Sequence, residues 1–101
     1  MIKTVLLVPR SYNEGAFFPE ALWEDLEARL AAFGGLSTRD GVRGVWLDAG
    51  MVYRDESNEY TVDLAPWRDL PARLAVAEWA RVAFRQIAVR IEVAGIPEVL
   101  R

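Results

Sequence analysis

The polar residues that could do chemistry in this chain fall at the ends of predicted strands and helices rather than in one compact motif. They are a guanidinium, a phenol, two amides, two carboxylates and an indole: Arg10, Tyr12, Asn13, Glu14, Trp46, Glu56 and Gln86. In the topology derived below, the first strand and the second helix end at the same edge of the sheet. These side chains could form a polar pocket for a small anion or carbonyl compound. The interpretation we prefer is that Asn13 and Gln86 only satisfy backbone groups in loops.

Asp55 and Glu56 form the one pair of adjacent carboxylates near a serine, Ser57. Two such groups could hold a divalent cation or act as an acid/base pair. Adjacent side chains on a strand point to opposite faces, however, so they do not serve one site unless a bulge turns them. We therefore expect a structural role, with Glu56 paired to Arg54 or to an arginine across the strands.

Four tryptophans are many for a chain of 101 residues. Trp23, Trp46, Trp67 and Trp79 are predicted to anchor the core or an interface, because large aromatic side chains dominate the energetics of both. An aromatic platform for a ligand is an alternative for Trp46 alone.

The composition excludes several kinds of chemistry. There is no cysteine and no histidine, which removes disulfides, thiolate nucleophiles, zinc–thiolate sites and the commonest general base. We expect no cofactor and no tightly bound metal, so any catalysis would rest on carboxylates, arginine, tyrosine or Lys3. With 12 basic and 15 acidic residues the formal net charge is −3, which argues against a nucleic-acid partner.

The apolar runs are too short for a membrane span, and the first residues lack the pattern of a signal peptide. We expect a cytoplasmic protein with no membrane partner, and a single domain over residues 1–101.

The hydrophobic periodicity predicts six elements and a tail: strand 2–8, helix 20–33, strands 42–48 and 51–64, helix 69–86, strand 87–93 and tail 96–101. Residues 5–8 are all apolar, which is typical of a central strand covered on both faces. Residues 87–93 alternate cleanly, which favours a half-buried strand at a sheet edge.

The connection between the two middle strands is open to two interpretations. Ala49-Gly50 is predicted as a two-residue hairpin turn, with a bulge at the polar block 55–58 in the partner strand. Alternatively, the turn lies at Ser57-Asn58 and residues 42–54 form one bent strand.

The order strand, helix, strand, strand, helix, strand predicts an α+β, ferredoxin-like β-α-β-β-α-β sandwich with an antiparallel sheet and a long hairpin. Strands one and three should be central, strands two and four should be edges, and both helices should cover one face. The other face would then stay open although the central strand presents apolar residues there. We expect a homodimer to cover it; alternatively, the tail and the hairpin fold over the sheet.

A set of short motifs resembles a family of small, functionally uncharacterised bacterial proteins with ferredoxin-like folds. The motifs are Gly34-Gly35 with Thr38, Gly44-x-Trp46-x-Asp48-x-Gly50-x-Val52, Asp55-Glu56-Ser57, and Phe84-Arg85-Gln86-x-Ala88-Val89. The resemblance covers about half of the chain. It implies the fold and carries no activity.

Three known uses of this topology do not fit the residues. The first strand lacks the glycine-rich phosphate loop of an acylphosphatase and the terminal aspartate of a CRISPR-integrase-type nuclease, and no strand carries the aromatic motifs of an RNA-recognition domain. Two hypotheses are left. The first is a dimeric, non-catalytic binding or interaction module with a filled core. The alternative is a cofactor-free enzyme of the dimeric α/β-barrel type, with a polar cavity between sheet and helices for a small carbonyl or anionic substrate.

Overall fold

The computed structural model describes residues 1–10 and 17–101, and for Trp46, Asp48 and Leu64 it describes the backbone alone. The described elements in chain order are strand β1 (Ile2–Pro9), helix α1 (Glu20–Ala31), strands β2 (Leu36–Asp48) and β3 (Met51–Ala65), a short 3-10 turn (Trp67–Asp69), helix α2 (Leu70–Ala83), and strands β4 (Val89–Val93) and β5 (Ile96–Leu100). None of the described helices is long and apolar enough to cross a membrane.

The two helices follow from apolar positions three and four residues apart. On α1 the buried side chains are Trp23, Leu26 and Leu30, which form one stripe along the helix. Pro19 precedes the first turn, where the missing N–H of a proline costs nothing. The chain leaves the helix through Gly34, whose φ of +125° suits glycine far better than any other residue.

The sheet is antiparallel throughout, in the order β2-β3-β1-β4-β5. β1 lies between β3 and β4, so the prediction that the first and third strands are neighbours is confirmed. Both helices pack on the same face, because Leu6 and Val8 of β1 belong to one cluster with residues of α1 and α2.

The predicted element order is wrong at its end, because the tail forms a fifth strand that pairs with β4. β4 is therefore not an edge strand. Ala94 and Gly95 both have positive φ, +54° and +81°, and such a turn folds the chain straight back beside the strand it has left. The alternation in residues 87–93 indicates that one face of the strand is buried and the other exposed. It does not indicate whether another strand pairs with its edge.

The hairpin between β2 and β3 turns at Ala49 and Gly50, with φ of +50° and +79°, as predicted. The alternative turn at Ser57-Asn58 is wrong, since those residues pair with β1 in the middle of β3. A bulge does occur, but in β2: residues 40 and 41 together oppose Asn58. Gly41 supplies the positive φ, +69°, that such a bulge needs.

The face of the sheet away from the helices is less open than the sequence suggests. Val5 lies on that face, and yet only 6% of it is exposed in the single chain. Its cross-strand neighbours are Thr61 and Glu92, and the long side chains of such a polar surface can cover a valine.

Beyond the last paired residue of β1, β2 and β3 continue as a two-stranded ribbon. We call residues 42–56 the hairpin arm. Five of its large apolar side chains are between 41% and 69% exposed: Val45, Leu47, Met51, Val52 and Tyr53. Part of the apolar surface that the sequence placed on the open sheet is thus found on this arm.

Candidate functional site

The predicted site residues are dispersed in the structure. Tyr12, Asn13 and Glu14 lie outside the described residues. The backbone of Trp46 pairs with Tyr53 in the hairpin arm, and its side chain is not described. Of the remaining three, Arg10 and Glu56 are brought together and Gln86 is placed elsewhere.

Arg10 and Glu56 form an ion pair at the base of the hairpin arm. The Arg10 Nη1 donates to Glu56 Oε2 at 3.3 Å, and the backbone N–H of Arg10 donates to the Glu56 carbonyl oxygen at 3.0 Å. Both side chains are about half exposed, so the pair fixes the chain after β1 more than it adds stability. This is the structural pairing expected for Glu56. Asp55 is adjacent to Glu56 on β3, so its side chain lies on the opposite face of the sheet, where it is across from Gly44.

Gln86 is buried after α2 and donates through Nε2 to the carbonyl oxygen of Phe84 at 2.9 Å. Its own carbonyl oxygen accepts from Arg81 at 3.3 Å. These contacts satisfy the end of the helix. The interpretation in which Gln86 serves the backbone therefore describes it better than the ligand-binding one.

A polar cavity of about 260 Å³ lies between the first half of α1 and the helix-facing side of β3. We call it the acidic pocket, because three carboxylates line it and, among the described lining residues, the one cation is paired with Glu56. The lining residues are Arg10, Phe17, Phe18, Glu20, Trp23, Glu27, Asp40, Asn58 and Tyr60.

The secondary structure explains how these residues meet. Glu20 and Glu27 lie two helical turns apart on α1, with Trp23 between them on the same face. Asn58 and Tyr60 are two apart on β3 and so share its helix-facing side. Asp40 joins them because it is one of the two residues of the bulge in β2.

A cluster of aromatic rings packs against the pocket on its core side. Trp23 stacks near Tyr60 with ring centres 6.2 Å apart, and it contacts Phe84 at 4.7 Å and Phe18 at 5.9 Å. These rings are at most 8% exposed, so they belong to the core. The prediction that the tryptophans anchor the core is confirmed for Trp23.

Burial and neighbouring negative charges raise the pKa of ionisable side chains in the pocket. Burial raises the pKa of Glu27, and the negative charges of Glu20, Asp40 and Glu24 raise it further. Burial also raises the pKa of Tyr60, with a smaller contribution from Glu27, while a hydrogen bond from Asn58 acts against the rise. The Tyr60 hydroxyl therefore stays neutral.

An unsatisfied polar atom of Asn58 is the second feature that distinguishes the pocket. The residue is 9% exposed, and its buried Oδ1 has no hydrogen-bond donor among the residues that the structure describes. Buried polar atoms are almost always satisfied, and an exception needs a cause. The acids are also not arranged for a metal, since the described residues contain no group of three acidic side chains that could hold an ion.

Sequence reasoning missed most of this pocket. Glu20 lies in the first turn of α1, where an acid is common because the helix dipole favours it, and Glu27 lies off the apolar stripe. Asp40-Gly41 was the available signal, because a glycine inside a strand pattern often marks a bulge.

Sequence reasoning also missed Arg73, a charged residue that is 1% exposed. Its guanidinium donates to the carbonyl oxygens of Ile2 and Pro66, at 2.9 Å and 3.1 Å, and to the Thr4 hydroxyl at 2.5 Å. The spacing of Arg73 from the buried Ala77 and Ala80 is helical. That spacing was a usable signal that this arginine faces inward.

A second cavity, of about 530 Å³, lies on the open face of the sheet at the base of the hairpin arm. We call it the groove. Leu7, Pro9, Val42 and Val99 are among its apolar lining residues. By register, Leu7 is opposite Arg90, which is opposite Val99, so the groove crosses three strands of the open face.

The fold is shared with known structures. Structures of a phage SAM lyase, in the apo state and in complex with S-methyl-5′-thioadenosine, superpose with TM-scores of 0.69 and 0.70 at 19% identity, covering 98% of this chain and 86% of that one. The divalent cation tolerance protein CutA1 of Thermus thermophilus superposes with a TM-score of 0.54 at 18% identity, over 99% of this chain and 81% of that one. No protein-family model and no curated protein sequence matches the chain. At these identities the likeness shows a common fold.

Proposed function

We propose that this protein is a single-domain, non-catalytic interaction module that associates with a second copy through its hairpin arm and the groove at the arm's base. The observation that carries the proposal is the concentration of exposed apolar side chains on the arm. Val45 and Leu47 share one of its sides by register, at 64% and 69% exposure, and Val52 is opposite Leu47. A two-stranded ribbon has no core of its own in which to bury them.

The size of this surface suits an interface. By register Val45, Leu47 and Val52 lie on one side of the arm, and Met51 and Tyr53 lie on the other. The three side chains on the first side offer on the order of 300 Å², taking roughly 150 Å² for each fully exposed side chain, which is within the range of the largest apolar patch on a monomer. A stable dimer of standard size takes about 800 Å² from each partner. The groove adjoins the arm and supplies Leu7, Pro9 and Val99 toward the difference.

The packing of the core also supports a module. Phe84, Leu26, Ile91 and Val8 are fully buried between the helices and the sheet, where the enzyme hypothesis required a polar cavity. The polar cavity that does exist, the acidic pocket, lies at the margin of this core.

Sedimentation velocity across a concentration series tests the proposal, with Val45→Lys and Leu47→Lys as the variants. Each change enters a symmetric dimer twice. Burying one valine or leucine contributes about 1.5–3 kcal/mol, so we expect each variant to weaken association by at least tenfold. Val82→Lys is the matched control, because Val82 is 62% exposed but lies on α2.

Three results would contradict the proposal. A wild-type protein that sediments as an 11.4 kDa monomer at tens of micromolar has no such interface. A larger closed assembly would contradict the dimer. A Val82→Lys variant that dissociates as readily as Val45→Lys would remove the arm from the interface.

A cofactor-free enzyme is a second candidate, and the acidic pocket is the observation that favours it. Its three carboxylates suit a cationic substrate better than the small anion expected from the sequence. The fold is that of a lyase named for S-adenosylmethionine, a sulfonium compound. Incubation with S-adenosylmethionine, followed by mass-spectrometric detection of S-methyl-5′-thioadenosine, tests this candidate. A rate no higher than that of the buffer, or an unchanged rate in Glu27→Gln, would reject it.

A further inference from the structure

Carboxylates outnumber cations among the described residues that line the acidic pocket. Glu20, Glu27 and Asp40 contribute carboxylates, and Tyr60 contributes a hydroxyl that stays neutral. Asn58 lines the pocket too, and its buried Oδ1 lacks a donor within the described part of the chain. Arg10, the one cation among the lining residues that the structure describes, is paired with Glu56 at 3.3 Å.

We propose that the acidic pocket is a binding site for a small organic cation that carries N–H donors, such as a primary ammonium group. Like charges gathered beside a buried hydroxyl destabilise one another, and a bound cation removes that repulsion. The described residues contain no group of three acids that could hold a metal ion, so the cation we propose is one that can be bound through individual hydrogen bonds to separate acceptors. An ammonium group at the end of a carbon chain meets this condition.

The dimensions of the pocket limit the ligand. At about 260 Å³ it lies just below the range of about 300–1,000 Å³ for sites that take drug-sized molecules. The neutral part of the ligand would rest against Phe18 and Trp23, which line the pocket and belong to the core. These dimensions suit a short aliphatic amine.

The site is independent of self-association. It lies on the helix-facing side of the sheet, whereas the groove lies on the open face. A failure of one proposal therefore leaves the other standing.

Titration of the ¹⁵N-labelled protein with n-butylammonium, followed by amide chemical shifts, tests the proposal. Two probes separate charge from shape: n-butanol has the same chain without the charge, and tetramethylammonium has the charge without N–H donors. We expect n-butylammonium to move the resonances around Glu27 and Asn58 with a dissociation constant in the millimolar range, and both controls to bind at least threefold more weakly.

Variants then assign the binding to these carboxylates. Glu27→Gln should weaken n-butylammonium at least threefold, and so should Asp40→Asn, whose exposed position makes the change safe for folding. Glu98→Gln is the matched control, because it removes the same charge from β5, three strands away from β3. We expect it to change the affinity by less than twofold.

The proposal is overturned if n-butylammonium produces no saturable shifts, or if n-butanol binds equally well. Equal binding of tetramethylammonium would overturn the role of the N–H donors. An equal loss of affinity in Glu98→Gln would show that the probe responds to net charge and not to this pocket.

Discussion

The buried arginine on α2 provides the sharpest test of how this fold is held together. Arg73 donates to two backbone carbonyl oxygens, those of Ile2 and Pro66, and to the hydroxyl of Thr4. It thereby joins α2 to the start of β1 and to the end of the connection after β3. We predict that Arg73→Met, which keeps most of the side-chain volume, destabilises the protein.

The expected loss of stability in Arg73→Met follows from two opposing contributions. Each carbonyl oxygen left without a donor in a buried position costs about 1–3 kcal/mol. In the opposite direction, the variant is stabilised because it no longer buries a charge. Burial disfavours the charged guanidinium and lowers the pKa of Arg73. Asp69, near the start of α2, partly restores that pKa. We expect a net loss of about 2 kcal/mol, which corresponds to a fall in Tm of roughly 10 °C for a domain of this size.

Urea unfolding followed by tryptophan fluorescence and by circular dichroism measures the free energy of unfolding. Arg68→Met is the control, because Arg68 is an exposed residue in the 3-10 turn just before α2, and its effect should be much smaller. An Arg73→Met variant at least as stable as the wild type would refute the reasoning. The three hydrogen bonds would then do no more than compensate for burying the charge.

Three further predictions concern single side chains, each with the free energy of unfolding as the measurement. Because the folded state raises the pKa of Glu27 above its ordinary value of 4.5, the native protein binds a proton there more tightly than the unfolded chain does. The free energy of unfolding therefore falls as the pH rises from 4.5 through the raised pKa. Glu27→Gln should therefore be more stable than the wild type near neutral pH, and an advantage that persists undiminished well below pH 4.5 would contradict this. Gly41→Ala should cost about 1–2 kcal/mol, because alanine is strained at a φ of +69°, and an unchanged stability would show that the bulge relaxes. Phe84→Ala should cost about 3–5 kcal/mol, since the ring is fully buried against Phe18 and Trp23, and a loss below 1 kcal/mol would mean that the core collapses into the space.

Part of the fold could be predicted because local signals agreed with it. The stripe of Trp23, Leu26 and Leu30 specifies a helix, and Ala49-Gly50 specifies a two-residue turn, since each signal involves residues close together in the chain. The class of fold, with strands one and three as neighbours, followed from the order of these elements.

The site was much less predictable, because it depends on register. One bulge in β2 brings Asp40 to the same cavity as Glu27 and Tyr60, and no local pattern says which residues of β3 it opposes. Gln86 was assigned to the site from the topology alone, but its nearest acceptor, the Phe84 carbonyl oxygen, satisfies it locally.

The amino-acid sequence by itself determined the chemistry available to this protein and the identity of most of its elements. Without cysteine or histidine, carboxylates, arginine and tyrosine are the groups left to work with. Only the tertiary structure decided that residues 96–100 pair with β4, that Val5 is covered, and that part of the apolar surface lies on the hairpin arm. The physical reason is that periodicity records which face a side chain takes, whereas pairing and burial depend on which distant strand lies beside it.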